Sequence, residues 1–239
     1  MLLEICASSF QSALNAQQAG AHRIELCTEL GVGGLTPSYG LLRRVMAELT
    51  IPVHVLIRPR SGDFTYSMEE LKIMKENIQL SKELGCAGVV IGLLKKDLTI
   101  DLEKTKELVD LARPLSVTFH RAFDWTMDPF LALDKLAEIG VDRILSSGQA
   151  ASAPAGIELL KKLQTQANHR LEILPGGGIN ENNIAKFKAA GFPAVHTSAS
   201  EISDGEGVGT IPMNTPRMLT EGIRIVSDIN KIERLVKLI

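Results

Sequence analysis

The 239-residue sequence lacks net charge: 26 lysines and arginines stand against 28 aspartates and glutamates, a formal balance of -2. That lack excludes the basic footprint with which a protein holds nucleic acid or an anionic membrane. Long apolar runs are missing too, none approaching the roughly 18 to 20 residues of a spanning helix. The opening MLLEICASSF has no basic flank and meets an acid at Glu4, which predicts neither signal peptide nor anchor and a cytoplasmic protein. Cysteine is scarce, three in all, so no disulfide framework is expected and each thiol needs its own explanation. A glycine-rich dinucleotide loop is absent where Cys6-Ala7-Ser8-Ser9 follows the first apolar run, and nothing else indicates an organic cofactor.

What is present is alternation. Short β-branched runs at 2–6, 22–27, 53–58, 87–92, 115–120, 142–146, 171–174 and 194–197 read as eight strands. Amphipathic stretches such as 9–20, 67–85 and 128–140 lie between them, opening on Ser or Asp and closing on Gly20, Gly85 and Gly140. Eight β/α units in about 200 residues predict an α/β fold, a closed (β/α)8 TIM barrel over 1–200. Residues 201–239 form a C-terminal extension expected to pack on it. In that tail Asp204 to Gly209 reads as a mobile loop and the final LTEGIRIVSDINKIERLVKLI as a strand and short helix, with lid, dimer arm, plug and plain packing as open roles.

Side-chain alternation then divides each strand. Leu3 and Ile5 oppose Glu4 and Cys6; Ile24 and Leu26 oppose Arg23, Glu25 and Cys27; Val53, Val55 and Ile57 oppose His54, Leu56 and Arg58. On the fifth strand Ser116, Thr118 and His120 face inward, and on the eighth His196 and Ser198. Buried charge must be paired or line a wet cavity. Glu4 and Arg23 lie deep enough to plug the barrel, whereas the strand ends are where barrel chemistry gathers.

Four constellations mark those ends. His120, Arg121 and Asp124 share the loop FHRAFD, where a carboxylate can orient an imidazole for acid/base work, or an ion pair can simply hold the loop. Arg58 and Arg60 flank Pro59 and suit a carboxylate or phosphate, or Glu25 and Asp124 as internal partners. Gly176, Gly177 and Gly178 precede a helix and stand near Ser198, an anion cradle or a tight turn. Cys6 and Cys27 share inward parity at corresponding heights; paired thiolates suit Cu(I), while buried cysteines also serve as small apolar side chains. Cys86 precedes the fourth strand, on the opposite face, and reads as packing.

The phrases HRIELCTELGVGGLTPS (22–38), VLIRPRSGDFTYS (55–67), VTFHRAFD (117–124), ILSSG (144–148) and LPGGGI (174–179) together resemble the CutC family of copper homeostasis proteins over about the first 200 residues. The resemblance implies a TIM barrel, a cytoplasmic location, a homodimer, and Cu(I) held by the two cysteines that correspond to Cys6 and Cys27.

Two functions follow. In the first, Cys6 and Cys27 bind Cu(I) for copper handling. In the second, the chain is a barrel enzyme for a small anionic or phosphorylated metabolite, with His120, Asp124, Glu25 and Arg58 as catalytic residues and Arg60, Gly176, Gly177, Gly178 and Ser198 as the anion site. Neither calls for nucleic acid or a membrane.

Overall fold

In the computed structural model, which describes residues 1–205, 211 and 222–239, eight parallel strands follow one another around a barrel. They are β1 (Leu2–Ala7), β2 (Arg23–Leu26), β3 (Val53–Leu56), β4 (Gly88–Ile91), β5 (Ser116–Phe119), β6 (Arg143–Ser146), β7 (Glu172–Pro175) and β8 (Ala194–Thr197). Hydrogen-bonded neighbours run from β8 through β1 to β7, and a parallel bridge between Gly176 and His196 brings β7 back to β8. This is the (β/α)8 barrel.

Helices α1 (Phe10–Gln18), α2 (Tyr39–Glu48), α3 (Met68–Glu83), α4 (Leu102–Ala112), α5 (Pro129–Glu138), α6 (Ile157–Ala167) and α7 (Ile184–Ala189) alternate with the strands. Several start where an oxygen-bearing side chain caps the free backbone N–H groups: Ser9, Ser38, Asp101 and Asp128 do so, and Ser67 with Glu70 forms a reciprocal capping box. Gly20, Gly85, Gly140 and Gly191 turn the chain from helix to strand at positive φ, a conformation that costs other residues more.

Alternation within the strands sorts the core into two zones. Leu3, Ile5, Ile24, Leu26, Val53, Val55, Val117 and Phe119 join the main apolar core between sheet and helices. Cys6, Cys27, Leu56 and Val90 form a separate small cluster, and Leu145, Leu174 and Ala194 another.

After β8 the chain makes an antiparallel hairpin of β9 (Ser200–Asp204) and β10 (Ile223–Ser227), then helix α8 (Ile229–Leu238). Ser227 anchors the hairpin to α1, its N–H donating to Ser12 Oγ at 3.0 Å and its carbonyl accepting from Asn15 Nδ2 at 2.9 Å. Ile232 and Leu235 of α8 enter the main core, and α8 contacts both α7 and α1. Glu206 to Gly209, part of the expected loop, lie outside the described residues. No helix among the described residues is long and apolar enough to cross a membrane.

Candidate functional site

The inward side chains stack in layers along the barrel axis. In the deepest layer Glu4 is gripped by Arg23 and lies 2.7 Å from His196 Nδ1. His54 Nδ1 is 3.7 Å from the same carboxylate. Arg143 of β6 completes this layer by donating to Ser116 Oγ and, at 3.2 Å, to Thr118 Oγ1. Burial alone would raise the pKa of Glu4, but the His196 hydrogen bond and the Arg23 charge outweigh it and hold the carboxyl well below its ordinary value. His54, facing no hydrogen-bonded carboxylate, is instead pushed down to about 4, mainly by burial.

One layer higher the thiols meet. Cys6 Sγ and Cys27 Sγ are 3.7 Å apart, and Cys6 also approaches Glu25 Oε1 at 3.9 Å. The two cysteines share inward parity as expected, but not height: Cys6 is in register with Glu25, and Cys27 comes two residues later, just past the end of β2. The slant of neighbouring barrel strands closes the gap between their side chains. The Cys27 thiol first, then burial, raises the Cys6 pKa well above its ordinary value. Burial lifts Glu25 to about 7. For His196 burial acts in the opposite sense, yet the Glu4 hydrogen bond and the Glu25 charge leave its pKa raised. The ligand atoms of Cys6, Glu25 and His196 all lie within 4.8 Å of one another, so this corner is a candidate metal centre. Cys27 does not belong to that group, although its sulfur lies 3.7 Å from that of Cys6.

Above the thiols the rim encloses a cavity of about 780 Å³. Its lining includes Cys6, Glu25, Arg58, His120, Asp124, Gly177, Gly178 and Ser198. Three of the expected site residues do not line it: Cys27 is fully buried in the small apolar cluster with Leu56 and Val90, Gly176 is taken up in the β7–β8 bridge, and Arg60 is paired elsewhere. Arg60 pairs with Glu70 at 2.5 Å and Asp63 at 3.1 Å and lies over the Tyr66 ring.

Arg58 and His120 do not take the partners expected of them, whereas Arg121 and Asp124 form the ion pair that holds their loop, at 2.8 Å. Arg58 donates to the carbonyls of Val32, Gly34 and Gly62, at 2.8 to 3.1 Å, stapling two loops rather than reaching Glu25 or Asp124. Asp124 accepts from Arg121, Ser146, Ser147 and Gln149, tying the β5 and β6 loops together. His120 turns elsewhere: its Nδ1 accepts the Ala122 N–H at 3.1 Å, and Phe64 packs on its ring. Burial, with the Arg58 charge, pushes His120 down to about 3, so the imidazole is neutral. Ser198 Oγ lies 2.9 Å from Ser200 Oγ.

Sequence reading did not single out His196 as a donor to the thiol corner, nor Arg143, Glu172, Phe64 and Trp125. For His196 the signal was its parity, shared with Glu4, but the register joining β8 to β1 is a property of barrel closure. Arg143 opposes Ile144 in parity and was legible in the same way as Arg23.

Fold and site thus define a TIM-barrel protein with a polar interior and a thiol-bearing rim. The chain belongs to the CutC family, whose model matches residues 1–201. It is 49% identical over 199 residues to a family protein CutC of Chromobacterium violaceum, covering 83% of this chain and 81% of that one. It is 42% identical over 239 residues to the human copper homeostasis protein cutC homolog, covering 98% and 87%. The crystal structure of CutC from Streptococcus agalactiae superposes with a TM-score of 0.78 at 35% identity, covering 83% of this chain and 98% of that one.

Proposed function

We infer that the protein handles copper, taking Cu(I) as cargo between Cys6 and Cys27. The observation that carries this reading is the buried Sγ–Sγ separation of 3.7 Å, with the His196 and Glu25 ligand atoms close to Cys6. Soft thiolates select Cu(I), and imidazole suits copper as well. The family membership and the description of the human relative as a copper homeostasis protein support it. The reading also includes a cytoplasmic homodimer in which residues 201–239 pack on the barrel. Anaerobic Cu(I) titration against a competing chelator tests the site: the Cys6→Ala, Cys27→Ala double variant loses the tight equivalent, and unchanged stoichiometry and affinity refute the reading.

A second reading, a barrel enzyme for a small anionic or phosphorylated metabolite, rests on the cavity. Its 780 Å³ lies in the size range of organic-ligand sites and far exceeds an ion. Glu25, near neutrality in its pKa, is then the acid/base group, neutral His120 the hydrogen-bond donor, and Gly177, Gly178 and Ser198 the anion side. Arg58, Asp124, Arg60 and Gly176 hold loops and the barrel seam around it. Turnover of a metabolite pool by the wild type and its loss in Glu25→Gln test this reading.

A further inference from the structure

We propose that Cys6, Glu25 and His196 form a second kind of metal site, which takes a divalent ion of the zinc class through one sulfur, one carboxylate oxygen and one imidazole nitrogen. Its fourth position opens on the rim cavity. The site goes beyond the copper reading and shares only Cys6 with it.

Strand register brings the three donors together. Cys6 of β1 is set beside Glu25 of β2, and Glu4 of β1 beside His196 of β8, so three neighbouring strands deliver one donor each to the same corner. The ligand atoms lie within 4.8 Å of one another, and Cys6 Sγ stands 3.9 Å from Glu25 Oε1. Around tetrahedral zinc, with bonds of about 2.0 to 2.3 Å, donor atoms lie about 3.3 to 3.5 Å apart, so small side-chain movements gather these three on an ion. His196 is already oriented for the task. Its Nδ1 is spent on Glu4 at 2.7 Å, which leaves Nε2 for a metal, and a carboxylate behind the imidazole is the usual support of a metal-binding histidine. Arg23 grips the same carboxylate and fixes it in turn. Glu25 is buried, and its Oε2 has no hydrogen-bond partner among the described residues; a cation supplies one.

Donor type and charge select the ion. Zinc accepts sulfur, nitrogen and oxygen alike, whereas carboxylate is a poor ligand for Cu(I) and thiolate a poor one for magnesium or calcium. A Cys6 thiolate and a Glu25 carboxylate carry two negative charges, which a divalent ion neutralises in a buried place where unbalanced charge is costly. Cys27 stands outside the donor set and does not line the cavity, whereas Cys6, Glu25 and His196 all do. The cavity is therefore the entry path. Three protein donors with a fourth position facing open space are the arrangement in which zinc holds an exchangeable water.

Co(II) is the spectroscopic probe and Zn(II) its competitor, titrated into the intact, reduced, metal-free chain. One equivalent of Co(II) should give the visible bands of four-coordinate cobalt with a thiolate-to-cobalt charge-transfer band, and Zn(II) should bleach both. Cys6→Ser should lose the charge-transfer band, and Glu25→Gln and His196→Gln should each weaken Co(II) by about tenfold or more. Cys27→Ser, which removes half of the Cu(I) pair, should bind Co(II) within a few-fold of wild type and keep the band. Should His196→Gln fail to fold by circular dichroism, the shift of the wild-type His196 Nε2 resonance on adding Zn(II) takes its place. Absence of the charge-transfer band in the wild type, unchanged binding in folded Glu25→Gln or His196→Gln, an unshifted Nε2 resonance, or loss of the band in Cys27→Ser overturns the proposal. Cu(I) binding is read by its own titration of the double cysteine variant, so such a failure leaves the copper reading to be judged separately.

Discussion

His196 Nδ1 lies 2.7 Å from one oxygen of Glu4 while Arg23 grips the other, so a single buried carboxylate joins β8, β1 and β2. Removing its charge leaves a buried guanidinium short of its partner. Glu4→Gln should therefore destabilise the barrel by about 3 to 5 kcal/mol at neutral pH, read from urea denaturation. Because the folded pKa of Glu4 lies below its ordinary 4.5, its stabilisation is full above that value and is lost as pH falls through the folded pKa. The gap between wild type and variant should accordingly narrow in acid; a gap independent of pH would contradict the assignment.

Glu25 titrates in the opposite sense. Its pKa is raised from 4.5 to about 7 by burial, so the folded protein is favoured while the carboxyl is protonated and loses stability as pH rises between those values. Glu25→Gln removes that loss. The variant should match wild type near pH 4 and exceed it above pH 7, by up to about 3 kcal/mol. Thermal unfolding across that range measures it, and equal pH profiles would show that Glu25 is not desolvated.

Gly176 is a seam residue. A Cβ there would fall 2.5 Å from Leu145 Cδ1 and 3.2 Å from His196 Cβ, at the bridge that closes β7 onto β8. Gly176→Ala should cost about 1 to 3 kcal/mol by overpacking, whereas loss of a bound anion with stability intact would restore an anion-cradle role.

Much of this was legible in the sequence because strand alternation is local. The parity of Leu3 against Glu4, or Ile24 against Glu25, needs only neighbouring residues, and eight such runs with glycine-ended helices define the barrel. Partner choice was not legible, because it depends on register and on side-chain rotamers. Arg58 and Arg60 look alike beside Pro59, yet one turns inward to loop carbonyls and the other outward to Glu70. His120 and Asp124 share a loop, yet the Ala122 N–H captures the imidazole and the β6 loop captures the carboxylate.

That difference between the arginines is itself testable. Arg60 is partly exposed and its ion pairs face solvent, so Arg60→Ala should change stability by no more than about 1 kcal/mol. It should leave ligand binding in the cavity unchanged. Arg58→Ala removes the staple holding three buried or half-buried carbonyls and should loosen the rim, measurable as faster amide exchange over residues 32–34 and 62. Equal effects from both would contradict the separation of their roles.

Copper affinity should rise with pH, because the metal must displace thiol protons. Cys6 is held protonated by the neighbouring Cys27 thiol and by burial, so each thiol deprotonated on binding contributes about a tenfold gain in affinity per pH unit below its pKa. Two such protons make the wild-type slope twice that of Cys27→Ser, which keeps one. Cys86 offers the control: it is buried in the main core, with its pKa pushed up to about 11 by burial, outside the barrel interior. Cys86→Ser should bind Cu(I) with the wild-type slope. A flat pH dependence, or a Cys86→Ser effect equal to that of Cys27→Ser, would place copper somewhere other than the thiol pair.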